Sequence, residues 1–286
     1  MEQQSIWHKL GKLDHRIIYL IFTILVGYPL IFPIGLPLPI SDSVRSAYEI
    51  IGSFPAGSTL YMGCELGATN APEMRPMFVA IMRYTLSLNH KVILAGFWED
   101  GPTLVSIWME ALLAESGAIY GEDFVNIGYR ARGSMQAILE QARHDFISAF
   151  SDRDMSGKVL SSMPIMQGIT KVSDLDYVVI LNPGSPGTEA YISAWRATGA
   201  VSTIIDCPSS NQITIGGYNL QAGLTQGMIG GLNGAAQFEA LIKKPYKGIS
   251  GMDAQGLGHL GVIFFLALGN LSYFQTKRRD TISRGE

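Results

Sequence analysis

Four acidic side chains lie at or just after the ends of predicted strands in this chain, and their type and placement could support chemistry. They are Glu65, Glu99, Asp100 and Asp206. Carboxylates that converge can act as a general acid and base, or bind a divalent cation. Acidic residues in loops also cap helices or face solvent, and the sequence leaves that alternative open. We therefore predict that these residues belong to a candidate ligand site, and we predict no metal site.

A glycine-rich loop at 182–188 is the second chemical feature. Its sequence is Asn-Pro-Gly-Ser-Pro-Gly-Thr, between a predicted strand and a predicted helix. Such a turn can gather backbone N–H groups that bind phosphate or carboxylate. It lacks the Gly-Lys-Ser/Thr of a P-loop and the spacing of a dinucleotide-binding fingerprint. The candidate ligand site therefore includes Asn182, Gly184, Ser185 and Gly187; the alternative is a tight turn in which Thr188 caps the next helix.

The sequence contains no recognisable catalytic motif. Ser209 lies outside a G-x-S-x-G setting, and the two cysteines, Cys64 and Cys207, lack C-x-x-C spacing. These cysteines could form a disulfide or remain buried thiols. Arg130 and Arg132 follow a predicted strand and could hold an anion or face solvent. We predict no catalytic residue, leave the cofactor open and favour a function that is not enzymatic.

Apolar segments alternate with helical patterns between these candidate residues. We predict strands at 59–63, 91–97, 123–128, 176–181 and 201–206, and helices at 72–88, 102–116, 135–150 and 188–198. Strands separated by helical crossovers indicate an α/β fold with a mostly parallel, doubly wound (Rossmann-like) sheet. In such sheets, ligands bind outside the carboxyl ends of the strands, where all of the candidate loops fall.

Two apolar segments near the ends of the chain predict membrane-spanning helices. Residues 17–36 and 257–274 contain no Asp, Glu, Lys or Arg, and a spanning helix needs roughly 20 apolar residues. A cleaved signal peptide is the alternative for the first segment, and a buried core helix for the second. The predicted organisation is a cytoplasmic tail (1–16), a transmembrane helix (17–36), a linker (37–56), an α/β domain (57–218), a glycine-rich packing helix with a linker (219–256), a second transmembrane helix (257–274) and a cytoplasmic tail (275–286).

The basic residues predict the orientation of these spans. Arg45, Lys243, Lys244 and Lys247 lie on the domain side of the two spans. The two tails contain seven basic residues, namely Lys9, Lys12, Arg16, Lys277, Arg278, Arg279 and Arg284. The positive-inside rule then places both termini in the cytoplasm and the central domain outside it. The net charge of −3 provides no basic field for nucleic acid, so we predict no nucleic-acid partner.

Small residues recur at every fourth position of segment 219–242. Gly223, Gly227, Gly231 and Ala235 would lie along one face if this segment is a helix. A face of small residues lets another backbone approach closely. We predict a helix that forms an interface, and the alternative is a closing helix of the α/β domain.

Two segments carry a resemblance to known sequences. They are Gly-Gly-Leu-Asn-Gly-Ala-Ala-Gln-Phe-Glu at 230–239 and Gly-Met-Asp-Ala-Gln at 251–255. They resemble segments of prokaryotic membrane-anchored α/β proteins of unknown function, over the central domain and the second apolar segment. The resemblance implies a prokaryotic cytoplasmic membrane as the location and implies no activity.

The anchors and the small-residue face predict a non-catalytic, membrane-anchored subunit or scaffold of a membrane protein assembly. Its partners would be the lipid bilayer and either further copies of this chain, as a homo-oligomer, or a larger membrane protein. The alternative is a membrane-tethered enzyme, or a sensor of a small anion or other ligand, that uses the loops at the carboxyl ends of the strands.

Overall fold

The computed structural model describes residues 14–283, except for the side chains at 276 and 278–283. The chain divides into two compact units. One is Pro37–Gly248, called here the α/β unit, and the other comprises the described parts of 1–36 and 249–286. Lys9, Lys12 and Arg284, and the side chains of Arg278 and Arg279, lie outside the described residues. The orientation inferred from these charges therefore stays a prediction.

A six-stranded sheet forms the centre of the α/β unit, and all of its strand pairs are parallel. The strands are β1 (Thr59–Cys64), β2 (Lys91–Gly96), β3 (Phe124–Tyr129), β4 (Tyr177–Asn182), β5 (Ile204–Pro208) and β6 (Gly227–Met228). Their order across the sheet is β3-β2-β1-β4-β5-β6. The predicted α/β fold with a parallel sheet is thus confirmed.

The strands are apolar along most of their length because both faces of the sheet are covered. In β1, Leu60 and Met62 contribute to one hydrophobic core, whereas Tyr61 between them contributes to the other. Successive side chains of a strand point to opposite faces, so a strand buried on both sides is apolar at nearly every position.

Helices supply the two covering layers and the connections. The helices are α1 (His15–Ile31), α2 (Asp42–Ser53), α3 (Ala71–Ser87), α4 (Gly101–Ser116), α5 (Met135–Ala142), α6 (Phe146–Ala149), α7 (Thr188–Tyr191), α8 (Ile213–Gln221), α9 (Gly231–Leu241) and α10 (Lys247–Ser283). A π-helical turn at Ile192–Arg196 continues α7, and short 3₁₀ turns punctuate the long connection between α6 and β4.

Three helical segments differ from the prediction. The expected linker at 37–56 contains α2, whose buried residues Val44, Ala47 and Ile51 are spaced three and four apart. The predicted helix at 135–150 is two helices, because Asp145 starts α6 by accepting a hydrogen bond from the Ser148 N–H at 2.9 Å. The predicted helix at 188–198 is regular only over α7 before the π-helical turn.

The predicted small-residue helix at 219–242 is wrong, because that segment contains three different elements. Gly223 follows α8 in a left-handed conformation, Gly227 lies in β6, and only Gly231 and Ala235 belong to α9. A Cβ at Gly227 would lie 2.8 Å from the Cα of Ala47 in α2, so this glycine permits close packing inside the α/β unit. The alternative prediction, a closing helix of the α/β domain, fits α9. This helix packs against α3 and α2.

The two cysteines are buried free thiols. Cys64 of β1 is opposite Leu181 of β4, which is in turn opposite Cys207 of β5. Two strand spacings of about 4.8 Å therefore separate the two cysteines. Their Cα atoms are too far apart for a disulfide, which needs less than about 7 Å.

One helix of the described chain is long and apolar enough to cross a membrane, over Lys247–Gln275 of α10. The predicted span at 257–274 lies inside this stretch. The other apolar helix, α1, has 17 residues and ends at Ile31. It ends there because Pro33 disfavours helical backbone at the residue before it. The second span at 17–36 therefore stays a prediction.

A buried carboxylate organises the unit that contains α1. The Asp253 Oδ2 atom accepts hydrogen bonds from the backbone N–H groups of Ile34 and Gly35, and Oδ1 accepts one from Leu36, each at 2.8 Å. These bonds fix the segment that follows α1 against α10. Nearby, a Cβ at Gly261 would lie 3.1 Å from Leu25, so the two helices pack closely.

Candidate functional site

The strand order reverses between β1 and β4. The chain runs from β1 through β2 to β3 on one side and then returns to place β4, β5 and β6 on the other. In open parallel sheets, the crevice at this reversal is where ligands bind. Glu65 directly follows β1, and Asn182 is the last residue of β4. Two of the residues selected from the sequence therefore lie at the position where the fold favours a site.

Glu65 is a fully buried residue whose carboxyl group accepts hydrogen bonds from a backbone N–H and a tyrosine hydroxyl. Its Oε2 accepts from the Phe97 backbone N–H at 2.9 Å, and its Oε1 accepts from the Tyr191 hydroxyl at 2.6 Å. The Tyr191 hydroxyl also lies 3.3 Å from that of Tyr61. Burial raises the pKa of Glu65 to about 7, although these hydrogen bonds and the positive charge of Arg132 pull it down. The group can therefore gain or lose a proton near neutral pH.

A cavity of about 280 Å³ lies beside Glu65, at the carboxyl ends of the strands. Leu66 and Phe97, which line it, are the chain neighbour and the hydrogen-bond partner of Glu65. The remaining lining residues are Gly67, Trp98, Glu99, Asp100, Tyr129 and Arg132. They come from the loops after β1, β2 and β3, so three loops enclose one space.

Trp98 and Arg132 connect these loops to the loop after β4. The Arg132 guanidinium lies over the Trp98 ring, 4.6 Å from its centroid, and donates a hydrogen bond to the Ser185 carbonyl. The Trp98 indole N–H donates to the Pro186 carbonyl at 3.1 Å. The Ser185–Pro186 peptide bond is cis. The loop at 182–188 is therefore held in place by side chains that line the cavity, from the loops after β2 and β3.

Glu65, Tyr191 and Tyr61 form one buried cluster, and Asp206 is the centre of a second. Its Oδ1 accepts hydrogen bonds from the Thr188 hydroxyl and, at 3.4 Å, from the Asn182 amide. Burial raises the pKa of Asp206 to about 7, with these bonds acting in the opposite direction. Its Oδ2 atom and the Asn182 Oδ1 atom have no hydrogen-bond partner in the described chain.

Helix α7 links the two clusters, because Thr188 contacts Asp206 and Tyr191 contacts Glu65. The N-cap of α7 is Gly187, with Thr188 as the first helical residue, so Thr188 is not the cap that the sequence suggested. A Cβ at Gly187 would lie 2.0 Å from the Asn182 side-chain oxygen, which excludes any larger residue there.

The residues predicted from the sequence are thus divided among three places. Glu99 and Asp100 line the cavity, and Glu65 lies buried beside it. Asn182 and Asp206 belong to the second cluster. Ser185 contacts Arg132 through its carbonyl, and a Cβ at Gly184 would lie 3.7 Å from the Trp98 ring. Among residues 14–283, no group of three or more His, Cys, Asp or Glu side chains is arranged to hold a metal ion.

The two tyrosines beside Glu65 are functional-site residues that the sequence did not indicate. Tyr191 is 126 residues away from Glu65 along the chain, and Tyr61 is an interior residue of β1. Burial raises the pKa of Tyr191 well above its ordinary value, and the nearby Glu65 adds to this effect. Tyr191 therefore stays protonated and donates its hydrogen bond. No local motif carries this arrangement, because the fold alone brings the residues together.

Comparisons with known proteins give no match: no protein-family model, no curated protein and no solved structure is similar to this chain.

Proposed function

We propose that this chain is a membrane-anchored protein whose α/β unit binds a small polar ligand in the cavity beside Glu65. The observation that carries this proposal is a buried carboxyl group at the strand-order reversal, with a pKa raised to about 7, next to a cavity at the carboxyl ends of β1, β2 and β3. Perturbed ionisable groups in a cleft are typical of functional sites. A protonation change at Glu65 would couple ligand binding to pH.

The lining of the cavity favours a ligand that carries an amine. Two carboxylates, Glu99 and Asp100, line the space together with one guanidinium, Arg132. The guanidinium already contacts Trp98 and the Ser185 carbonyl. Aromatic rings at Trp98 and Tyr129 attract cations through their faces. The surplus of negative charge opposes the small anion that the 182–188 loop suggested from the sequence.

The test is the melting temperature of the full-length protein in detergent with ethanolamine or choline as amine probes, and with inorganic phosphate. At a hundred times its Kd, a bound ligand stabilises the folded state by about 3 kcal/mol. We expect an amine probe to raise the melting temperature and phosphate to leave it unchanged. Trp98→Ala and Glu99→Gln should each abolish the rise, because they remove an aromatic wall and a carboxylate.

Glu110→Gln is the matched control, since Glu110 is an exposed carboxylate of α4 that does not line the cavity. It should leave the rise intact. Stabilisation by phosphate alone would contradict the amine ligand and point to the 182–188 loop as an anion site. If neither probe stabilises the protein, the ligand-binding proposal fails.

The proposed anchoring is a prokaryotic cytoplasmic membrane crossed twice, at 17–36 and within α10, with both termini in the cytoplasm. It is supported by the apolar composition of both segments and by the basic residues of the tails. Lys171→Cys in the α/β unit should react with an impermeant maleimide in intact cells, whereas Glu286→Cys should react only after permeabilisation. The buried native thiols give little background. The reverse labelling pattern would invert the topology.

A second candidate function, subunit of a membrane assembly, is favoured by an exposed apolar helix. Residues 207–238 contain no charged side chain, and α8 within this stretch buries only Gly216. Ile213, Ile215 and Tyr218 of α8 are exposed. Uncharged apolar surface of this kind is typical of protein interfaces.

Native mass spectrometry in mild detergent tests this candidate. We expect an oligomer or a co-purifying membrane protein, and Ile215→Glu should dissociate it. Ile107→Glu, at an exposed apolar residue of α4, is the matched control that should not. A wild-type protein that is monomeric and without partners would rule the assembly role out.

A further inference from the structure

A second cavity lies at the opposite edge of the α/β unit from Glu65. Its volume is about 550 Å³, and its lining residues come from α2, the last turns of α3, α4 and α9, and the residues that follow them. Helices that cross between parallel strands run antiparallel to them, so helix carboxyl ends lie at the amino edge of the sheet. This groove is therefore separate from the candidate ligand site.

The walls of the groove are apolar and aromatic. Tyr48 of α2 stacks on Tyr84 of α3, with ring centroids 4.6 Å apart. Leu86, Leu112, Leu241 and Ile242 complete the apolar lining. A groove of this size and character suits an amphiphilic molecule.

The rim of the groove is positively charged. Arg83, Lys243 and Lys244 line it, against the single carboxylate of Glu115. Glu115 pairs with Arg83 at 2.8 Å and lies 4.0 Å from the Lys244 ammonium. The lining therefore carries a net positive charge, and Lys243 and Lys244 can complement an anion at the rim.

The backbone around these lysines is already satisfied. The Lys243 N–H donates to the Ala240 carbonyl at 3.2 Å, and the Lys244 N–H donates to the Glu239 carbonyl at 3.1 Å. This is a Schellman ending of α9, with Lys243 at the left-handed position that glycine usually occupies. The two side chains are therefore not needed to cap the helix, and a lysine stands where glycine would be less strained.

The chain position of the groove indicates what occupies it. Lys244 lies three residues before Lys247, where α10 and its membrane-crossing stretch begin. We propose that the groove binds an anionic phospholipid, with the phosphodiester at Lys243 and Lys244 and the upper part of an acyl chain along the tyrosines and leucines. Basic residues next to a span commonly bind anionic headgroups. This inference requires membrane anchoring but not a ligand at Glu65.

The test uses full-length protein in an uncharged detergent, titrated with phosphatidylglycerol, phosphatidylcholine or inorganic phosphate, with bound lipid counted by native mass spectrometry. We expect phosphatidylglycerol to bind in preference to phosphatidylcholine. Lys243→Gly and Lys244→Gln should each lower its affinity about fivefold, because each lysine near an anionic headgroup contributes about that factor. Without lipid, Lys243→Gly should raise the melting temperature, since glycine suits the left-handed position.

Lys158→Gln is the control, because Lys158 is exposed and contacts Tyr120 outside the groove. It should leave phosphatidylglycerol binding unchanged. Equal binding of the two lipids, or unchanged binding in both groove variants, would overturn the proposal. A response to inorganic phosphate equal to that of phosphatidylglycerol would show a free-anion site instead of a lipid site. Failure of the amine test at Glu65 would not bear on these outcomes.

Discussion

Replacing Gly101 with alanine is expected to destabilise the α/β unit by about 3 kcal/mol, the upper range for overpacking. The added Cβ would lie 2.0 Å from the Cys64 carbonyl oxygen and 3.3 Å from that of Leu66. Both are backbone atoms next to Glu65, so relief requires α4 to move away from the end of β1. For a unit of this size, the loss is on the order of 10 °C in melting temperature.

Gly217→Ala provides the matched control for thermal melts of the full chain. Gly217 lies inside α8, and no atom lies within 4 Å of an added Cβ there. Alanine in a helix interior is favoured over glycine by about 1 kcal/mol, so this variant should melt at the same temperature or higher. A Gly101→Ala protein that melts like the control would show that α4 and β1 are not in close contact.

The same close contact explains why Glu65 is buried. A Cβ at Gly96 would lie 2.6 Å from the Cys64 carbonyl oxygen, so glycines at both ends of the β2–α4 turn let it approach β1. The turn then covers Glu65, and its Phe97 N–H donates a hydrogen bond to the Glu65 carboxyl group. The two glycines and the buried carboxyl group therefore form one structural arrangement.

The strands and the edge that holds the site could be predicted from the sequence. Buried parallel strands are apolar at nearly every position, and segments such as 177–181 show this pattern without interruption. The carboxyl ends of parallel strands lie at the same edge of the sheet, so the loops that follow these strands lie at that edge too. Glu99 and Asp100 were found in this way.

The contacts inside the site could not be predicted, because they depend on long-range packing. Tyr191 contacts Glu65 across 126 residues of chain, and Arg132 contacts Ser185 across 53. The four-residue spacing of Gly223, Gly227, Gly231 and Ala235 was misleading for a related reason. A left-handed residue after α8, a close approach in β6 and two residues of α9 produce the same spacing as one helical face.

Replacing Glu65 with glutamine is expected to reduce the loss of stability between pH 5 and pH 8. The pKa of Glu65 rises from 4.5 to about 7 on folding, because burial penalises the charged form. Between these two values the folded chain holds a proton that the unfolded chain has lost, so stability falls as pH rises through this window. The shift corresponds to about 3 kcal/mol, which the amide of the variant removes because it does not ionise.

The variant keeps the surrounding hydrogen bonds, since an amide oxygen can accept from the Phe97 N–H and an amide N–H can donate to the Tyr191 oxygen. Melting temperatures at half-unit steps of pH should therefore coincide with those of wild type near pH 5 and exceed them near pH 8. Glu122→Gln changes an exposed carboxylate and should reproduce the wild-type profile. Burial also raises the pKa of Asp206 to about 7. The melting temperature of the Glu65→Gln protein should therefore keep part of its pH dependence. A variant profile parallel to wild type would show that Glu65 is charged throughout this range, and a site that couples ligand binding to its proton would then have no physical basis.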